Sequence, residues 1–137
     1  RRLEGEFLAY RQAIPRNNSI HILGDTHALL SSIERVSLII SDKLKSPLHC
    51  VFEDNILKIS TKTAIGDAYD QCPVEGNGNG LEIGFNNRYL MEALKAAPAE
   101  RVRLELTTSV SPCVILPAEG DENFLYMVLP VRLKAGE

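Results

Sequence analysis

The sequence predicts an α+β domain made by internal duplication, with two helices packed on antiparallel sheets. Three observations carry this. The order strand, capped amphipathic helix, three strands occurs twice along the 137 residues. One offset of 61 residues takes Asp25 to Asn86, Leu29 to Leu90 and Ile33 to Leu94. Neither half alone can bury both a sheet and a helix, whereas two halves packed as a pseudo-symmetric pair can. The halves run over about 19–74 and 79–129.

Ser19 to Leu23 reads as the first strand. Asp25 then offers a carboxylate to the free amides of a first helical turn. From Thr26 to about Ile40, Leu29, Ile33, Val36 and Ile40 recur at helical spacing and define one face. Leu38 falls almost opposite that face, with Ile39 beside it, so an apolar pair is left on the polar side. Asp42 to Pro47 is a loop. Leu48 to Phe52 and Ile56 to Thr61 read as strands joined by a turn at Asp54-Asn55, and a weaker strand follows within Ala64 to Val74. Gly76-Asn77-Gly78-Asn79-Gly80 reads as a turn. It leads into the strand Leu81 to Phe85 instead of opening a helix, and it lacks the Gly-Lys-Ser/Thr element of a phosphate loop. Asn86 caps the second helix, whose apolar face is Leu90, Ala93, Leu94 and Ala97, and Pro98 ends it. Val102 to Thr107, Cys113 to Leu116 and Phe124 to Leu129 complete the second set of strands. Pro130 removes a backbone donor, so pairing must stop or move to a sheet edge there. Beyond it, Val131-Arg132-Leu133 puts apolar groups and a planar cation where chain ends are usually polar. A fraying last strand and a strand whose tip reaches a binding cleft both fit this pattern.

Composition narrows the function classes. Hydrophobic residues are 45% and charged residues 24%, ordinary for a globular domain. The net charge of -3 gives no hint of nucleic acid, so any such role needs a local basic face. No apolar run approaches membrane-spanning length. Arg1 in place of Met gives the expectation that this is a piece of a longer protein, with a domain boundary near Pro15-Arg16. Cys50, Cys72 and Cys113 form no C-x-x-C pair and read as free thiols of a reducing cytoplasm. His21, His27 and His49 lie in no metal-ligand spacing, so no metal and no cofactor are expected. The carboxylates show no pairing suited to acid/base work, and no catalytic residue is assigned. On the second helix Arg88, Glu92 and Lys95 lie opposite the apolar face, and on the first Arg35 does with Ser31 and Glu34. A solvated helix face accounts for these; a nucleic-acid surface needs several such faces joined together.

Three motifs occur in order: Glu82-Ile83-Gly84-Phe85-Asn86-Asn87-Arg88-Tyr89-Leu90, Leu106-Thr107-Thr108-Ser109-Val110-Ser111-Pro112, and Tyr126-Met127-Val128-Leu129-Pro130-Val131-Arg132-Leu133. Together they closely resemble the C-terminal domain of the bacterial sliding clamp, the beta subunit of DNA polymerase III. The stretch Glu4 to Pro15 is similar to the segment leaving that protein's middle domain. The resemblance divides the chain into a tail over 1–16, the C-terminal clamp domain over 17–133 and an extension over 134–137.

The resemblance implies a DNA-clamp fold and a non-catalytic processivity factor of the bacterial replicative polymerase. It also implies a cytoplasmic homodimeric ring around duplex DNA, with no membrane partner. Helices line the hole, and polymerase III alpha subunit, clamp loader and other proteins dock by short peptide motifs. Carried over position by position, the peptide cleft takes Leu8, Gln12, Ala13, Asn86, Tyr89, Val110, Met127, Leu129, Pro130, Val131, Arg132 and Leu133. Arg35, Arg88 and Lys95 would face DNA, and Leu38 and Ile39 would meet the neighbouring chain. The sequence departs from the family pattern in three places. Leu8 stands where proline can occur, Gln12-Ala13 where an Arg-Val pair occurs, and Lys134 to Glu137 continue past the usual Arg-Leu end. Two other classes stay open: an oligomerisation or peptide-binding domain without a DNA role, and a small cysteine/histidine enzyme. The latter needs Cys72 or Cys113 with a histidine in a closed pocket.

Overall fold

The computed structural model describes residues 20–41, 46–118 and 124–133. The expected tail over 1–16 and extension over 134–137 lie outside the described residues. Strand β1 is Ile20–Asp25, helix α1 is Thr26–Val36 and a 3-10 turn covers Ser37–Ile39. Then come β2 (Leu48–Thr63), β3 (Gly66–Phe85), α2 (Asn87–Ala96), β4 (Arg101–Leu106), β5 (Cys113–Pro117) and β6 (Tyr126–Val128).

The duplication is visible first in the helix starts. Asp25 caps α1 at φ -73°, ψ 124°, and Asn86 caps α2 at φ -73°, ψ 121°. Each cap side chain accepts from a first-turn amide: Ala28 N–H donates to Asp25 and Arg88 N–H to Asn86. Such a cap contributes about 1 kcal/mol. Leu29 and Ile33 of α1 are buried, and so are their counterparts Leu90 and Leu94 of α2. Both helices press these stripes into one apolar core and touch one another.

The strands show the same relation. The sheet runs β2-β3-β1-β4-β5-β6, antiparallel throughout. β1 pairs with β4 from Ile20↔Leu106 to Asp25↔Arg101, and the start of β2 pairs with the end of β3 from Leu48↔Phe85 to Phe52↔Leu81. In both ladders the first strand of one half meets the second strand of the other, which binds the halves by backbone hydrogen bonds. Each half's first strand also meets its own last segment, at Leu23↔Glu75 and at Gly84↔Val131. Leu23 and Gly84 are themselves 61 positions apart. The second of these contacts brings the chain after β6 back onto β3, so the sheet curls round on itself.

Several boundaries differ from the sequence expectation. Asp54-Asn55 and Gly76 to Gly80 are not turns. The strands expected on either side of Asp54-Asn55 run on as the single β2, and the glycine run lies inside β3. The turn-forming residues make bulges instead. β3 has 20 residues against 16 in β2, and the pairing register shifts between Phe52 and Asp54 and again between Asp54 and Ile56. Asn55 (φ 62°), Gly76 (φ 124°), Asn79 (φ 57°) and Gly80 (φ 75°) absorb the extra backbone. The Asn55 side chain accepts from Gly76 N–H at 3.0 Å, which ties the bulge on one strand to that on the other. The α-helical part of the first helix stops at Val36, and the last strand is only Tyr126–Val128.

The core unites both halves. Phe52, Phe85, Ile22, Leu48, Ile59, Leu106 and Ile115 are fully buried with the helix stripes. Burying a side chain of this size contributes about 1.5–3 kcal/mol. Thr26, a buried polar residue, is satisfied twice: its hydroxyl donates to Ala99 O at 2.8 Å and its amide to Glu100 O at 2.8 Å. That pair anchors the start of α1 to the segment leaving α2, across the boundary between the halves.

Candidate functional site

Two pieces of chain converge at the second cap. Asn86 turns the end of β3 into α2, which presents Asn87, Arg88 and Tyr89 at its exposed start. From the other side comes the segment after β6. Pro130 ends the β5–β6 ladder, and Val131 N–H then donates to Gly84 O at 2.8 Å. Between them lies a groove of about 520 Å³ lined by Asn86, Asn87, Arg88, Tyr89, Val131 and Arg132, with Ile40, Ser41, Ser46 and Pro47 on its far side. Its walls carry amides, hydroxyls, two guanidinium side chains and aliphatic groups, a mixture that suits an extended peptide with both polar and apolar side chains.

The structure therefore brings together Asn86, Tyr89, Val131 and Arg132 from the sequence-derived cleft. Val110, Met127 and Leu129 are not in this groove. Val110 is 74% and Leu129 65% exposed, and Met127, Pro130 and Leu133 are half-buried. Tyr126 and Val128 point into the core, so alternation sends Met127 and Leu129 to the opposite face. Leu8, Gln12 and Ala13 lie outside the described residues. Ile40, Ser41, Ser46 and Pro47 were not foreseen. They are far from α2 in the sequence, and only the tertiary fold brings them to the groove. Arg88, which the resemblance assigns to a DNA-facing surface, lines the groove as well.

The other assigned residues separate into two surfaces. Leu38, in the 3-10 turn after α1, is 82% exposed and Ile39 half-buried. Lys95 and Arg88 lie on the exposed side of α2 and Arg35 on that of α1. Arg35 is engaged within the domain: its Nη2 and Nε donate to Asp70 Oδ2 of β3 at 2.7 and 3.0 Å, and Nη2 reaches Ser32 Oγ at 3.3 Å. Burial pushes the Asp70 carboxyl up, but hydrogen bonds from Arg35, the Gln71 backbone and Ser32, with the Arg35 charge, outweigh it and hold it below the ordinary carboxylate range.

The cysteines show what the core does to reactive groups. Cys50 and Cys113 line a small apolar gap of about 10 Å³ beside Leu29, Phe52, Phe85 and Leu104, and no histidine lines it. Burial pushes the Cys50 thiol up to about 12 and the Cys113 thiol upward too, with smaller contributions from Cys50 and Glu105. Thiols held in that form are poor nucleophiles. Cys72 is also buried and raised. Among the described residues no group of three or more His, Cys, Asp or Glu side chains could hold a metal ion. Among them, too, no helix is long and apolar enough to cross a membrane.

A duplicated strand-helix-strands unit, its halves joined by exchanged ladders and its helices side by side, defines the class of clamp-type α+β domains. The chain belongs to the family described as DNA polymerase III beta subunit, C-terminal domain, which it matches over residues 11–132. It is 31% identical over 138 aligned positions to the beta sliding clamp of Synechococcus elongatus, covering 98% of this chain and 36% of that one. The sliding clamp of Pseudomonas aeruginosa superposes with a TM-score of 0.83 at 30% identity, over 96% of this chain and 36% of that one. The clamp of Bartonella birtlesii bound to griselimycin gives 0.81 at 29% identity, over 90% and 33%. The chain thus spans about a third of the length of these relatives.

Proposed function

We propose that this chain is the third domain of a bacterial sliding clamp, a processivity factor that tethers the replicative polymerase to duplex DNA. In the full-length protein two three-domain chains close head to tail into a ring in the cytoplasm. The exposed sides of α1 and α2 face the hole, with Arg35, Arg88 and Lys95 making loose, sequence-blind contacts with phosphates. Leu38 and Ile39 meet the first domain of the neighbouring chain. The role is mechanical: it uses no cofactor and no catalytic residue. DNA polymerase III alpha subunit, the clamp loader and other factors dock through a short peptide in a cleft whose remaining wall comes from the middle domain.

The observation that carries this reading is the groove where the capped start of α2 meets the returning Val131-Arg132 segment. Asn86 and Tyr89 flank the peptide path, and Arg132 holds acidic or polar atoms at the rim. Met127 and Leu129 lie outside that groove, on the outward face of β6 and its extension; the peptide's path continues past the Val131-Arg132 wall onto them, where a leucine or phenylalanine anchor makes the apolar contact that carries most of the affinity. A clamp solved with griselimycin bound supports a ligand-accepting surface in the family.

The test is titration of the full-length protein with a labelled peptide of the glutamine-leucine-x-leucine-phenylalanine type. Leu129→Asp alters a side chain 65% exposed, so thermal unfolding should move little while peptide binding is lost. Arg132→Ala should weaken binding only modestly. A folded Leu129→Asp protein that binds like wild type refutes the cleft.

A further inference from the structure

At Gly84 the repeat departs from its own pattern without a backbone reason. Its counterpart one repeat earlier is Leu23, and both sit where a half's first strand meets its own last segment. The first copy carries a leucine side chain at this position. Gly84 does not have a left-handed φ, so its backbone would accept a side chain. Space is what excludes one. A Cβ built on Gly84 would lie 2.7 Å from Leu133 Cδ2, 2.9 Å from Val131 O and 3.0 Å from Leu133 Cγ. The room that Leu23 uses in the first copy is occupied in the second by the segment after β6.

That contact is also the hinge of the groove. On its other edge Gly84 pairs with His49 of β2, so its own position is held by the sheet. Two residues further on, Asn86 begins the wall made by the start of α2. Across the bridge, Val131 and Arg132 form the opposing wall. The Val131 N–H to Gly84 O bond at 2.8 Å is the joint from which both walls diverge. Anything that pushes Val131 and Leu133 off Gly84 shifts the Val131–Arg132 wall relative to the start of α2, although Gly84 itself does not line the groove.

We propose that Gly84 is a positioning residue for peptide docking: its missing side chain seats the Val131–Leu133 segment on β3 and thereby sets the width of the groove. This rests on the peptide-groove reading above and adds a residue that acts through the segment it seats. The atom facing the new Cβ is a backbone carbonyl as well as a flexible leucine tip, so rotation of Leu133 alone cannot relieve the crowding.

The experiment uses the full-length protein and the labelled peptide, with amide hydrogen exchange at Val131 as a second readout. Gly84→Ala should speed exchange at Val131 and weaken binding by roughly tenfold, as expected for a displaced wall. Leu133→Ala creates no clash but removes the side chain packed over Gly84, so it should weaken binding by a smaller factor. The double variant should bind no more weakly than Gly84→Ala alone, because both changes act on one contact. Unchanged Val131 exchange and unchanged affinity in Gly84→Ala overturn the proposal, as does faster exchange with full affinity. Should Gly84→Ala fail to fold, an unweakened Leu133→Ala overturns it. Leu129→Asp in the same titration separates the two ideas. If it abolishes binding while Gly84→Ala binds normally, the cleft stands and Gly84 has no part in it. If both bind normally, the cleft reading has failed and this proposal with it.

Discussion

Replacing Leu38 with glutamate, together with Ile39→Glu, should open the ring without unfolding the domain. Leu38 is 82% exposed in the isolated fold, so its removal costs that fold almost nothing. A leucine going from water to full burial contributes about 1.5–3 kcal/mol, and roughly four-fifths of that is still available at Leu38, or about 1.2–2.5 kcal/mol. A two-chain ring contains this contact twice, which brings the apolar loss to about 2.5–5 kcal/mol. At about 1.4 kcal/mol per factor of ten, dimer dissociation should strengthen by roughly two to three and a half decades. Burying a glutamate against an apolar partner adds to this. Sedimentation equilibrium on the full-length variant, over a range of concentrations, reads the shift directly, and thermal unfolding of the isolated domain checks that the fold is intact. A dimer constant unchanged within a factor of three would refute the interface and leave the exposed leucine without a role.

Two further outcomes follow from the charged side chains. Neutralising Arg35, Arg88 and Lys95 together in the full-length ring should weaken DNA retention and flatten its salt dependence. Lys95 should account for more of the slope than Arg35, which Asp70 already engages at 2.7 Å; an unaltered slope would show that none of the three approaches the duplex. The Arg35–Asp70 tie also has a defined acid dependence. Because the Asp70 carboxyl titrates below its ordinary range, the stabilisation is present above the ordinary carboxylate value near 3.9 and is lost as pH falls through the depressed one. An NMR titration should find Asp70 below that ordinary value and shifted upward in Arg35→Ala, where burial is left as the leading influence. An unshifted carboxyl in that variant would mean that the arginine is not what holds it.

The elements themselves were legible in the chain because their causes are local. A carboxylate or amide ahead of an apolar 3.6-residue stripe makes a capped helix wherever it stands, and the 61-residue offset showed that the same solution had been used twice. The exposure of Leu38 was legible too, although the structure places it in a 3-10 turn after Val36 and not in the α-helix that the spacing implied. The motifs shared with the clamp family identified the domain, again because they are strings of adjacent residues. Long-range pairing was a different matter. Asn55 and the Gly76–Gly80 run carry turn chemistry, and a chain reversal and a bulge draw on the same positive-φ residues. Only the partner strand decides between them, and here β2 and β3 stay paired through the irregularity. Likewise, helical position placed Arg35 and Arg88 outward but could not say that Asp70, 35 residues on, would hold the first, or that the second would line a groove. Gly84 is the clearest case. Read along the chain it is a small residue near the end of a strand; its meaning comes from Leu133, 49 positions away, which fills the space where a side chain would stand. Propensity and periodicity act over a few residues, whereas excluded volume acts between whatever the fold brings into contact.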